Sequence, residues 1–200
     1  MTDLQHLLDQ TAALHNHLCP RQVLGVRIGM YAAELFALEL PQPDKRLYAF
    51  VETDGCFADG VSVASGCWLG HRTLRLMDYG KVAATFVDTQ AERAVRIWPQ
   101  PGARQQAACC IPNAKSRWQA QLEAYQTMPY AELLCAAEVH LSLSMQALMS
   151  RPGLRQSCEM CGEEILNERE TIVDGQALCR SCADGGYYKI VESVVITNHD

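Results

Sequence analysis

Apolar residues near the start of the chain recur with a helical period. Leu4, Leu7, Leu8, Ala12 and Leu14 fall on one face, and Thr2 with Gln5 matches a capping box, which predicts a first helix running to about residue 15. The stretch HNHLCP follows. Pro20 suits the first position of a second helix and leaves Cys19 near its N-cap. Leu24, Ile28, Tyr31, Leu35 and Leu38 form the buried stripe of that helix, and Gly25 and Gly29 would let another backbone approach closely.

Beyond the loop LPQPDK the period shortens. RLYAFVET (46–53) reads as a buried strand ending at TDG, and CFADGVSVASG (56–66) as a short helix closed by Gly66, with Cys67 just beyond. HRTLRLMD and KVAATFVD read as strands joined by a Tyr79-Gly80 turn, and ERAVRIW completes a hairpin. PQPG is a loop and NAKSRWQAQLEAY a helix. LCAAEVHLSL alternates Ala137, Val139, Leu141 and Leu143 against Glu138, His140 and Ser142, the pattern of a half-exposed strand. Helices and strands are mixed and hairpins recur, so the expected class is α+β rather than a doubly wound sheet. SRPGLRQ (150–156) is the candidate linker. It separates an α+β core domain over 1–149 from a small C-terminal module and tail over 157–200.

Composition adds two constraints. A net charge of −6 argues against a broad electrostatic grip on nucleic acid or an anionic membrane, and no apolar run is long enough to span a bilayer. MTDLQHLLDQ has neither the basic nor the apolar region of a secretory signal, which points to the cytoplasm. Ten cysteines in a chain of 200 residues are then unusual, because a reducing compartment disfavours disulfides. Metal binding or thiol chemistry accounts for them better.

Four of those cysteines lie in CEMCGEEILNERETIVDGQALCRSC. Cys158 and Cys161 form one CxxC pair, Cys179 and Cys182 a second, and two such knuckles supply the four corners of a zinc tetrahedron. Gly162 permits the turn after the first knuckle, and Val173-Asp174-Gly175-Gln176 reads as a hairpin turn. Four thiolates fill the shell, so this zinc is structural. Between Arg155 and Gly185 stand three arginines against five glutamates and two aspartates. That balance repels phosphate, and contact with protein or a second copy is the expected role.

HNHLCP carries the second candidate site. In an extended segment alternate residues face the same way, so His17 and Cys19 could chelate one ion, with His15 beside them. Cys56 recurs in the same setting, after a strand and at a helix start. If the two turns meet, His17, Cys19 and Cys56 make a three-ligand site with an open position, and two converging helix N-termini would favour an anionic ligand. The alternative is that these are ordinary small buried residues. Cys67 is a reserve ligand, Cys135 a core residue, and Cys109 and Cys110 packing or surface residues. His71 is either a polar lining residue or an exposed strand histidine. His6, His140 and His199 have no constellation around them.

Taken together, HNHLCPRQVLGVRIGMYA, ETDGCFADGVSVASGCWLGHRTLRLMDYGKVAATF and the terminal double CxxC resemble the E-subunit family of formylmethanofuran dehydrogenase. The family pattern HxHxCP falls on His15, His17, Cys19 and Pro20, its DxC on Asp54 and Cys56, and its GC on Gly66 and Cys67. The resemblance implies an α+β core with a histidine- and cysteine-lined cavity, a linker, and a C-terminal zinc ribbon of treble-clef-like form. It also implies a homodimer that can exchange its terminal modules. Asn16 stands where the family usually has glycine, and His71 where it usually has lysine.

Three functions are consistent with these residues. The first is an accessory or cofactor-handling protein for molybdenum/tungsten-pterin or one-carbon enzymes, with structural zinc, a second transition metal on His17, Cys19 and Cys56, and a small ligand contacted by Asp54, His71 and His15. The second is an enzyme, with Cys19, His17 and Asp54 as catalytic candidates. The third is a metal- or redox-sensing scaffold that contacts a partner protein.

Overall fold

The computed structural model describes residues 3–149 and 153–191, so Thr2 of the expected capping box, the linker residues 150–152 and His199 lie outside the described residues. Two compact units divide at Ser142/Leu143, ahead of the SRPGLRQ segment, whose last two residues, Arg155 and Gln156, open the strand Arg155–Ser157.

In the first unit, α1 (Leu4–Ala13), α2 (Pro20–Phe36) and α3 (Cys56–Ser65) pack with a five-stranded sheet. The strands are β1 (Leu47–Val51), β2 (Leu74–Leu76), β3 (Ala84–Asp88), β4 (Arg93–Pro99) and β5 (Leu134–Glu138), in the order β2-β1-β3-β4-β5. α4 (Ala103–Cys110), α5 (Arg117–Thr127) and the single turn α6 (Tyr130–Leu133) connect β4 to β5. The mixed α+β class is as expected.

Asp3 caps α1 by accepting the His6 N–H, and Leu7, Leu8 and Thr11 turn inward while Leu14 stays exposed. α2 is more buried than the expected stripe. Val23, Leu24, Val26, Ile28, Ala32 and Ala33 cover most of its circumference, so it runs through the core and does not lie on it. Its one buried cation, Arg27, donates to the carbonyls of Tyr125 (2.7 Å), Gln126 (2.9 Å) and Met128 (2.7 Å) and sits over the Tyr130 ring. It thereby satisfies the orphan carbonyls at the end of α5.

The glycines do bring another backbone close. A Cβ at Gly25 would collide with the Phe57 carbonyl of α3, one at Gly29 with the Ala64 side chain, and one at Gly60 with the Gln22 carbonyl. α2 and α3 therefore cross backbone to backbone. This contact fixes the positions of both helix starts.

In the sheet, β1 and β3 are buried along their whole length. β3 and β4 make the expected hairpin, with Phe86 opposite Val95. β2 and β3 do not pair across the Tyr79-Gly80 turn. β2 runs parallel to β1, with Ala49 opposite Leu74, and β1 lies between them. Two part-buried ion pairs tie the strand ends: Arg46 reaches the buried Asp88 at 2.6 and 2.9 Å, and Arg96 reaches the buried Glu52 at 2.6 and 2.7 Å. β5 ends at Glu138, short of the expected LCAAEVHLSL strand.

The second unit holds α7 (Met145–Met149), the hairpin β6 (Arg155–Ser157)–β7 (Glu164–Leu166), the hairpin β8 (Thr171–Val173)–β9 (Gln176–Leu178), and α8 (Arg180–Asp184). Asp174 (φ 50°) and Gly175 (φ 85°) make the tight turn that the Asp-Gly pair predicts. Its buried apolar core is small, essentially Ile165 and Leu178 around Cys158.

Candidate metal centre and thiol site

The two knuckles of the second unit close on each other. The sulfurs of Cys158, Cys161, Cys179 and Cys182 all lie within 4.8 Å of one another, and Cys161 Sγ is 3.9 Å from Cys179 Sγ. A zinc ion with Zn–S bonds of about 2.3 Å needs sulfurs roughly 3.8 Å apart, so this cluster fits tetrahedral zinc. Gly162 turns the first knuckle at φ 78° and donates to the Cys158 carbonyl at 2.8 Å. The Cys179 N–H points at Cys158 Sγ at 3.3 Å. The backbone N–H groups of Cys161 and Cys179 draw the Cys158 thiol down to about 6, a thiolate ready for metal. Cys182 goes the other way, to about 12, through the neighbouring Cys179 sulfur and burial. Four crowded thiols do not all ionise until a cation offsets them.

The first unit builds its site from two helix starts. Cys19 is the N-cap of α2, extended at φ −126° and ψ 159°, with Pro20 at the first helical position. The Cys19 N–H donates to Gln22 Oε1 at 2.7 Å, and Gln22 Nε2 donates to the Thr11 carbonyl at 2.8 Å. Gln22 is fully buried, so it clamps HNHLCP to the end of α1. Cys56 opens α3 after Gly55, whose φ of 71° suits a residue without Cβ. The Cys56 thiol is pushed up by burial and then by the Cys19 thiol beside it.

The histidines behave differently from the alternation expected of an extended segment. Asn16 has φ 57°, in the left-handed region that glycine and asparagine tolerate, and this breaks the alternation. His15 turns to α3, with Nε2 2.6 Å from Asp59 Oδ2, both half-buried. His17 is exposed and folds back, its Nδ1 2.9 Å from the His15 carbonyl. Among the described residues, Cys158, Cys161, Cys179 and Cys182 form the group of three or more potential ligands whose donor atoms lie within 4.8 Å; His17, Cys19 and Cys56 do not close to that distance.

Asp54 is exposed at the mouth of a cleft of about 290 Å3, which Asp59, Trp68 and Leu74 also line. His71 is exposed and is not among the residues lining that cleft, although Gly70 is. Cys67 is not a spare ligand. It is buried, donates to the Leu47 carbonyl at 3.3 Å, and its thiol is pushed up to about 11 by burial. Cys135 is half-buried rather than core, and Cys109 and Cys110 are exposed. Asp59 and Gln22 were not singled out from the sequence. Asp59 had a local signal, since a residue three positions after Cys56 shares its side of the first turn.

An α+β core with paired thiols at two helix starts, together with a four-cysteine zinc module, defines the class. Residues 14–135, more than half of the chain, match the family described as FmdE, Molybdenum formylmethanofuran dehydrogenase operon, and the chain belongs to that family. Residues 153–188 match the prokaryotic dksA/traR C4-type zinc finger. Among curated proteins, the chain is 37% identical over 98 residues to a probable S-adenosyl-L-methionine-binding protein of Archaeoglobus fulgidus. The shared segment is 48% of this chain and spans 27% of that protein's length. Among solved structures, a tungsten formylmethanofuran dehydrogenase FmdE-like protein from Syntrophus aciditrophicus superposes with a TM-score of 0.56 at 21% identity. The match covers 94% of this chain and 96% of that one, and it establishes likeness of fold.

Proposed function

We propose that this chain is a zinc-containing accessory protein that handles a small ligand in its core unit, serving molybdenum/tungsten-pterin or one-carbon enzymes. The observation that carries the reading is the meeting of Cys19 and Cys56 at two helix starts, beside a cleft and the His15–Asp59 pair. The operon named in the family description supports the metabolic setting. S-adenosyl-L-methionine, named for the Archaeoglobus relative, is a natural first ligand to try on this chain.

A second transition metal on this site is the finer part of the proposal. Cys19 and Cys56 would be two ligands. His15 is better placed than His17 for the third, because a metal-bound histidine commonly gives its other ring nitrogen to a carboxylate, as His15 does to Asp59. Loading would have to draw these groups together. We also propose a cytoplasmic homodimer that can exchange its C-terminal modules; apolar Met160, Ile172 and Ile190 are exposed on the second unit, which suits contact with another chain. No helix among the described residues is long and apolar enough to cross a membrane.

Metal content per chain on anaerobically purified protein, wild type beside Cys19→Ala, tests the core metal. About two equivalents falling to one in the variant would support it. One equivalent in both would remove the second metal and leave a thiol site in the core unit and the structural zinc in the other.

A further inference from the structure

The cleft beside the paired thiols has a one-sided chemistry. Its wall is apolar, with Val51, Trp68, Leu74 and Leu76, and its polar side chains are Asp54, Asp59 and Ser62. Among the described residues, no lysine, arginine or histidine lines it. Its two carboxylates only accept, and the donors among the lining side chains are the neutral Ser62 hydroxyl and the Trp68 indole N–H.

Ser62 adds a second observation. It is 2% exposed, and it lines the cleft. A serine inside a helix commonly bonds back to the carbonyl four residues earlier, as Ser65 of the same helix does to Val61 at 2.7 Å. On the cleft wall the Ser62 hydroxyl can accept from a group that enters the cleft.

The helix dipole does not restore a preference for anions. Asp59 already stands in the first turn of α3, at the positive end of that helix. An anion in the cleft would face two carboxylates, one of them shared with His15.

We propose that this cleft binds a small organic cation, a primary or substituted ammonium carried on an aromatic or aliphatic body. Asp54 takes most of the charge, Ser62 accepts an N–H, and the Trp68 wall takes the body, where the indole face also attracts a cation. The inference rests on the reading of the core unit as a ligand site and not on a second metal.

A matched series tests it, with one indole body in three charge states: tryptamine (cation), 3-methylindole (neutral) and indole-3-acetate (anion). Each is titrated calorimetrically into the zinc-loaded full chain. Tryptamine is expected to bind at least about tenfold more tightly than indole-3-acetate, with 3-methylindole between. Asp54→Asn, at an exposed position, should shrink the tryptamine-to-acetate ratio to a few-fold. Trp68→Leu should weaken all three probes, tryptamine the most. If indole-3-acetate binds as tightly as tryptamine, or if either variant leaves its pattern unchanged, the cation assignment is overturned while the core unit remains a ligand site. If none of the three binds at millimolar concentration, both fall together.

Discussion

The two units hold their thiols by opposite means. In the C-terminal unit four cysteines come from one short stretch of chain, around a buried core little larger than Ile165 and Leu178. In the core unit Cys19 and Cys56 come from two helices, placed by a crossing in which Gly25, Gly29 and Gly60 let the backbones touch. The first arrangement depends on the metal for its fold. The second depends on apolar packing and would keep its shape with nothing bound. Spacing in sequence therefore reports a site well when the site makes its own fold, and poorly when the fold makes the site.

The largest effect that separates them is metal removal. Structural zinc contributes roughly 10–16 kcal/mol of apparent binding energy in small finger modules, far more than this unit's apolar core can supply. Treatment with a strong chelator should abolish amide protection in β8 and β9 while β1 and β3 stay protected. Hydrogen exchange read by residue is the measurement. A zinc-free chain that kept β8–β9 protected would end the comparison, because both units would then be self-supporting.

The next largest acts on the core alone. Alanine at an ordinary helix-interior glycine stabilises. At Gly25 the added Cβ meets the Phe57 carbonyl, and backbone cannot step aside as a side chain can. Gly25→Ala should cost about 2–3 kcal/mol in urea denaturation followed by a core-unit probe, with zinc content unchanged. A neutral or stabilising result would mean that the helix crossing is loose and does not set the spacing of Cys19 and Cys56.

The same contrast explains what could be read from sequence. The four-cysteine cluster, the Asp174-Gly175 turn, Pro20 at the start of α2, Gly66 closing α3 and the close approach at Gly25 and Gly29 all rest on local signals, and the structure contains each. α2 misled because a helix buried nearly all round has no polar face to mark its stripe. α4 went unread because ARQQAACC buries only Ala103 and Ala107, too little apolar pattern to register. A turn at Tyr79-Gly80 says that the chain reverses but not which strand it meets, and β1 had already taken the place between β2 and β3. His17 was favoured over His15 on an alternation that a single left-handed residue, Asn16, undoes. Asp59 became a partner of His15 only through tertiary packing, although they lie far apart in sequence.

The smallest effect sharpens the comparison at the level of one proton. Burial and the neighbouring Cys19 thiol both hold the Cys56 thiol above its ordinary range, so little of it is thiolate near neutrality. Cys19→Ala removes the second cause and leaves the first. The Cys56 pKa should fall, and its alkylation by iodoacetamide at pH 8 should quicken a few-fold, with the rate–pH profile displaced to lower pH. Mass spectrometry of the Cys56 peptide against time reads this directly. The sign distinguishes proximity from burial: if burial alone set the thiol, removing Cys19 would leave the profile where it was, and the two helix starts would not share a site. A few-fold change is small beside the loss of a whole unit on chelation. It is the scale expected where a rigid scaffold holds two thiols side by side and neither is needed to keep the scaffold folded.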